Sequence, residues 1–163
     1  MATRRQFIMQ TSALLGTAPL VACTTREQEY QSTAKAIWRH SSGALSDKPA
    51  LLRELVRYAT PASSSHNTQC WKFKIEEDPI SVLPDFLRRC PAVDSDDHHL
   101  FVSLGYATEN LVQAALANGL NGDVSFDATS GIVNVALEST KAVVSALFNA
   151  WAKLLAPLLA EVG

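Results

Sequence analysis

The sequence predicts an α+β fold, a small and mostly antiparallel sheet with helices packed on it. Three observations predict it. First, Leu100, Leu104, Ala107, Leu111, Ala114 and Ala115 recur at spacings of three and four, which lays one continuous apolar stripe along a helix predicted over 96–118. Second, Trp71-Lys72-Phe73-Lys74-Ile75 alternates apolar and basic residues, the period of a half-buried strand. Third, Val124 to Phe126 and Ile132 to Leu137 read as strands, and the short loop Ala128 to Gly131 makes them an antiparallel hairpin.

The chain has 163 residues, about one domain's worth, and 47% of them are hydrophobic, enough for a buried core. Formal net charge is −2. Arg4 and Arg5 are the only charged residues before Cys23, so the remainder carries 12 basic and 16 acidic side chains, net −4. That balance argues against a nucleic-acid partner, which calls for a basic patch.

Residues 1–23 read as a leader. Thr3-Arg4-Arg5-Gln6-Phe7-Ile8 matches the twin-arginine export pattern, and a modestly apolar segment follows, too short and interrupted to span a bilayer. Leu20-Val21-Ala22-Cys23 resembles a lipobox. On that reading Cys23 becomes the first mature residue and carries the lipid that holds the protein at a membrane surface. Simple cleavage and release is the alternative. Either way the twin-arginine translocase is a partner, and the protein is exported, periplasmic or at the cell surface.

Thr24 to Ser32 is polar and reads as a tether, followed by a short helix around Ala34 to Trp38. Behind Pro49, the spacing of Leu51, Leu52, Leu55 and Val56 predicts a helix to Tyr58. A dense run of hydrogen-bonding residues follows, from Pro61 to Gln69, pinned between that helix and the strand at Trp71. Rigid elements position such a loop for binding. Glu76 to Pro79 is a turn, Ile80 to Leu83 a second strand, and Asn121-Gly122-Asp123 a turn ahead of the hairpin. Asp94 to His99 places acids ahead of a helix, which favours its dipole; the adjacent histidines point about 100° apart and are ill placed to share a metal ion. Cys70 and Cys90 either pair or remain two unpaired, mostly buried thiols. From Ser139 onward the chain is apolar on nearly every face, with Pro157 interrupting it.

The string Ser64-Ser65-His66-Asn67-Thr68-Gln69-x-Trp71 resembles the S-S-x-N-x-Q-P-W segment of the nitroreductase superfamily, and most closely its exported branch. Asp85-x-x-Arg88-Arg89 ahead of Asp94, and Ser103-x-Gly105 with Glu109-Asn110-Leu111, resemble further stretches of that family. The resemblance implies an α+β flavin enzyme, with Ser64, Ser65, Asn67 and Gln69 facing flavin mononucleotide (FMN). Pro61, Ser63 and Cys70 depart from the family's loop, and the loss of two prolines leaves the loop less pre-organised. Arg39-His40-Ser41 is similar to a basic-Ser element that grips flavin phosphate, and a solvated helix end competes with that reading. The family's second basic segment is replaced by Trp151 to Pro157, so the resemblance spans 48–149, implies a domain incomplete relative to the family, and leaves 150–163 as an unmatched apolar helical tail.

What the resemblance implies is hydride transfer from NAD(P)H through FMN to a small electron-poor acceptor. No catalytic acid, base or nucleophile is identified, and none is required, because the chemistry is the flavin's. Two other readings stand beside it, a flavin-sequestering module without turnover and an inactive fragment. Family members place flavin at a dimer interface, so a homodimer is expected, with the apolar tail as a candidate contact.

Overall fold

The computed structural model describes residues 26–37, 39, 45, 47–76 and 78–150. The leader, with Arg4, Arg5 and Cys23, and the tail from 151 lie outside the described residues.

The fold is α+β: a four-stranded antiparallel sheet in the order β1-β2-β4-β3, with helices on it. A first helix, α1 (26–37), begins inside the stretch expected to be a tether. The correction has a local cause. Arg26, Glu27, Gln28, Glu29 and Gln31 are all strong helix formers, and Gln31 Nε2 donates to Glu27 Oε1 four residues back at 2.6 Å.

Helix α2 (Lys48–Ala59) is started by Asp47, whose carboxylate accepts from Ala50 N at 3.1 Å, with Pro49 in the first turn. Its buried face carries Leu52, Leu55, Tyr58 and Ala59. These residues pack into one cluster with Leu111, Ala114 and Ala115 of α3 (His98–Ala117) and with Ile80 and Val135 of the sheet. A second cluster joins Cys70, Trp71 and Val82 to Leu100, Leu104, Ala107 and Val133. The sequence stripe is thus the face by which α3 lies between α2 and the sheet. Each leucine it buries contributes about 1.5–3 kcal/mol.

Strands β1 (Trp71–Ile75) and β2 (Ile80–Pro84) form a hairpin with Trp71 opposite Pro84 and Ile75 opposite Ile80. β2 then pairs with β4 (Ile132–Ser139), and β4 with β3 (Leu120–Asp127). The expected turn at Asn121-Gly122-Asp123 is instead the first half of β3. Gly122 sits opposite Leu137, and a Cβ there would come within 3.1 Å of Val112 and Val135, so the glycine lets α3 and β4 approach. The reversal from helix to strand is made one turn earlier by Gly119 at φ +78°. α3 packs on the first half of β3, at Gly122, and leaves its second half open. Val124 and Phe126 stay about half exposed there, with the Phe126 ring 6.1 Å from that of Phe101. Residues 146–150 are helical again, and Phe148 inserts against Tyr58 at a ring separation of 5.3 Å.

None of the described helices is long and apolar enough to cross a membrane.

Candidate functional site

Between α2 and β1 the polar run folds into a tight loop built around a single 3-10 turn, Ser65–Asn67. Three of its residues hold a left-handed backbone: His66 at φ 53°, Asn67 at 54° and Gln69 at 48°. Non-glycine residues adopt that region at a cost, and such a concentration persists only where surrounding bonds impose it. Those bonds are present. Ser64 O accepts from Asn67 N at 3.0 Å, and Ser64 Oγ accepts from Gln69 N at 2.9 Å. Ser65 O accepts from both Thr68 N and Thr68 Oγ1. Hydrogen bonds within the loop therefore supply the order that the missing prolines do not.

Two further bonds hold the loop to the body. Ser65 N donates to Ser103 Oγ on α3 at 3.1 Å, and Ser103 Oγ itself donates to His99 O at 2.6 Å. On the other side, Arg88 Nη1 donates to Thr68 O at 3.2 Å. Sequence reasoning missed Ser103 as a clamp. Its signals were a small polar residue beside the apolar stripe and its place in the Ser103-x-Gly105 stretch of the resemblance.

All four residues expected to face the cofactor lie on this loop. Ser64 and Ser65 are half-buried and engaged in fixing it, whereas the side chains of Asn67 and Gln69 are exposed. The loop thus has a structural half and a presented half. The presented amides offer both donors and acceptors, suited to a neutral heteroaromatic ring edge.

The segment facing the loop is charged and internally paired. Asp85 accepts from Lys72 Nζ at 2.9 Å and lies 3.7 Å from Arg88 Nε. The Lys72 bond, aided by that from Leu87 N, holds its carboxyl below the usual carboxylate value although burial opposes it. Arg89 Nε lies 3.2 Å from Asp97 Oδ1, and Asp97 is itself left-handed at φ 58°. Arg39 Nη2 donates to Glu54 at 2.9 Å. Arg88 and Arg89 beside the loop thus each face a carboxylate already, as Arg39 faces that of Glu54 on α2.

Asp94 decides the start of α3. Its Oδ1 accepts from His99 N and its Oδ2 from Leu100 N, both at 3.0 Å, and His99 Nδ1 lies 3.1 Å from Oδ1. Burial works to raise its pKa, and the two backbone bonds together with the His99 ring outweigh that and lower it. The acidic run before the helix acts as a cap, as expected, through the residue furthest from it. No group of three metal-ligating side chains is found among the described residues. Cys70 and Cys90 are both free, the first buried and the second half-buried. Glu109 is exposed and accepts from Gln113 Nε2 at 2.7 Å on its own helix, a surface role.

No protein-family model matches the chain, and no curated protein matches it. Among solved structures, the chain is similar to a nitroreductase family protein from Streptococcus pneumoniae, with 17% sequence identity and a TM-score of 0.47 over 66% of this chain and 90% of that one.

Proposed function

We propose that this protein binds a flavin, FMN, on the loop Ser64–Gln69 and acts as an oxidoreductase of nitroreductase type. The observation that carries the reading is the loop itself. It is the one place among the described residues where three consecutive-but-one non-glycine residues are held left-handed, and it presents Asn67 and Gln69 while Ser64 and Ser65 clamp it. The sequence resemblance to the family's flavin-facing segment falls on these same residues.

The loop fits the ring and ribityl part of FMN, whose neutral polar edges match two amides and the loop backbone. The phosphate is matched less well, because Arg39, Arg88 and Arg89 each already lie beside a carboxylate, Arg39 hydrogen-bonded to Glu54 and the other two as looser ion pairs. When bound, the flavin would accept hydride from NAD(P)H and pass it to an electron-poor acceptor. The chain's own contribution is to orient the ring through Asn67 and Gln69 and to keep the loop rigid through Ser103. A homodimer belongs to the same proposal, with the apolar tail as its candidate contact and Val124 and Phe126, beside Phe101, as an exposed apolar face among the described residues. So does export through the twin-arginine translocase, with lipid on Cys23. Lysine at Arg4 and Arg5 would block that export, and Cys23→Ala would release the protein from the membrane fraction.

The absorption spectrum of the purified protein tests the central claim. Added FMN should perturb both the visible flavin bands and flavin fluorescence, and Asn67→Ala with Gln69→Ala should abolish the change. An unperturbed spectrum at millimolar FMN would refute the reading. The committed arginines favour a second reading, a flavin-sequestering module without turnover. Binding without reduction by NAD(P)H would select it.

A further inference from the structure

Cys70 and Cys90 are twenty residues apart and line the same cleft, together with Asp94 and Leu100. The cleft is narrow, with room for about one water molecule. The backbone on both sides of it is fixed. Asp85 N donates to Cys70 O at 2.9 Å, which sets Cys70 against the start of the turn Phe86–Arg88, two residues ahead of Cys90. Val93 N and Asp94 N both donate to Cys90 O, at 3.0 and 2.9 Å. Arg88 reaches back to Thr68 O, and Cys70 Sγ lies 3.8 Å from Leu100 O. A disulfide needs Cα atoms roughly 4.4–6.8 Å apart and adjustable side chains. Cys70 and Cys90 share the lining of one small cleft, and the backbone hydrogen bonds from Asp85 N to Cys70 O and from Arg88 to Thr68 O hold their two segments side by side.

We propose that Cys70 and Cys90 are a thiol pair that a small-molecule disulfide oxidises to an intramolecular cross-link. Exposure sets the order of events. Cys90 is half-buried and reachable, whereas Cys70 is 2% exposed. The Cys90 thiolate attacks the reagent disulfide, forming a mixed disulfide and expelling one reagent thiolate. The Cys70 thiolate then attacks the Cys90 sulfur and expels the second. Two protein thiols are oxidised, one reagent disulfide is reduced to two thiols, and the two protons pass to the departing thiolates. The product ties the C-terminal end of the loop Ser64–Gln69 to the segment that carries Arg88 and Arg89. This inference is independent of flavin binding.

The test uses the full chain with Cys23→Ser, treated with oxidised glutathione and read by intact mass and peptide mapping. The expected product is a monomer lighter by two hydrogen atoms, with the peptides of Cys70 and Cys90 joined and no glutathione retained. Its thermal midpoint should rise, and dithiothreitol should reverse the rise. In Cys70→Ala the reaction should stop at glutathione on Cys90. Should that variant fail to fold, Cys90→Ser carries the control, with no loss of hydrogen and no adduct. A stable adduct on Cys90 in the unsubstituted pair, no reaction at all, or a disulfide between two chains would each overturn the proposal.

Discussion

The backbone N–H of Ser65 donates to Ser103 Oγ at 3.1 Å, and this bond joins the polar loop to the buried side of α3 in its N-terminal half. Ser103 is 1% exposed, so its hydroxyl cannot substitute water freely. Ser103→Ala leaves the Ser65 N–H without its acceptor and removes the bond to His99 O. The expected cost is about 1–2 kcal/mol, read as a lower urea midpoint with an unchanged slope. The loop should respond more than the core, with amide exchange accelerated at 65–69 and unchanged on β4.

Glu54 is the hinge of a second prediction. Its carboxylate, 5% exposed, receives Arg57 from within α2 and Arg39 from beyond α1, and Arg57 also donates to Ile37 O. Removing the shared partner leaves Arg57, whose side chain is 13% exposed, without that counter-charge, so Glu54→Ala should cost about 3 kcal/mol. Arg39, whose side chain is 56% exposed, should cost within about 1 kcal/mol when changed to alanine. Chemical denaturation of both variants checks the asymmetry; equal losses would contradict it.

The cap at Asp94 makes stability depend on pH. Its folded pKa lies below its unfolded value, so its contribution is fully present above the unfolded carboxylate value of about 3.9 and is lost as pH falls through the folded one. Wild-type stability should therefore fall with pH below about 4. In Asp94→Asn that acid-dependent loss should be shallower, from a lower starting stability at neutral pH. Asp85 contributes with the same sign through Lys72. Urea midpoints collected between pH 3 and 7 separate the two variants.

Two glycines should respond in opposite directions to alanine. At Gly105, an exposed interior position of α3, an added Cβ meets nothing within 4 Å, so Gly105→Ala should stabilise by about 0.5–1 kcal/mol. At Gly131, with φ +71° in the hairpin, the same Cβ would stand 2.9 Å from the ring of Phe101. Gly131→Ala should destabilise by more than about 1 kcal/mol and perturb the Phe101–Phe126 contact. Thermal melts of the pair settle both signs.

Flavin affinity follows from the committed arginines. Neutral bonds from the loop are worth about 0.5–1.5 kcal/mol each, and a charge-assisted phosphate bond about twice that. With Arg39, Arg88 and Arg89 already paired, binding should be weak, lost on dialysis, and little better for FMN than for riboflavin. Fluorescence titration with both ligands measures the ratio. A strong preference for FMN would show one of these ion pairs opening to receive the phosphate.

Periodicity located α2, α3 and the strand at Trp71, because burial on one face leaves its period in the order of residues, and the short loop at 128–131 located the hairpin. The sequence also located the polar loop, as a run of hydrogen-bonding side chains between two apolar elements. Tertiary contact decided the rest. Asn121-Gly122-Asp123 has the composition of a turn and lies in a strand, since Gly122 is needed where Val112 and Val135 converge. The loop is tied to α3 through Ser103, thirty-eight positions away from Ser65. Whether Arg39, Arg88 and Arg89 are free to meet an anion was equally beyond reach. An arginine's charge is written in the sequence, but the carboxylate that occupies it is chosen by the fold.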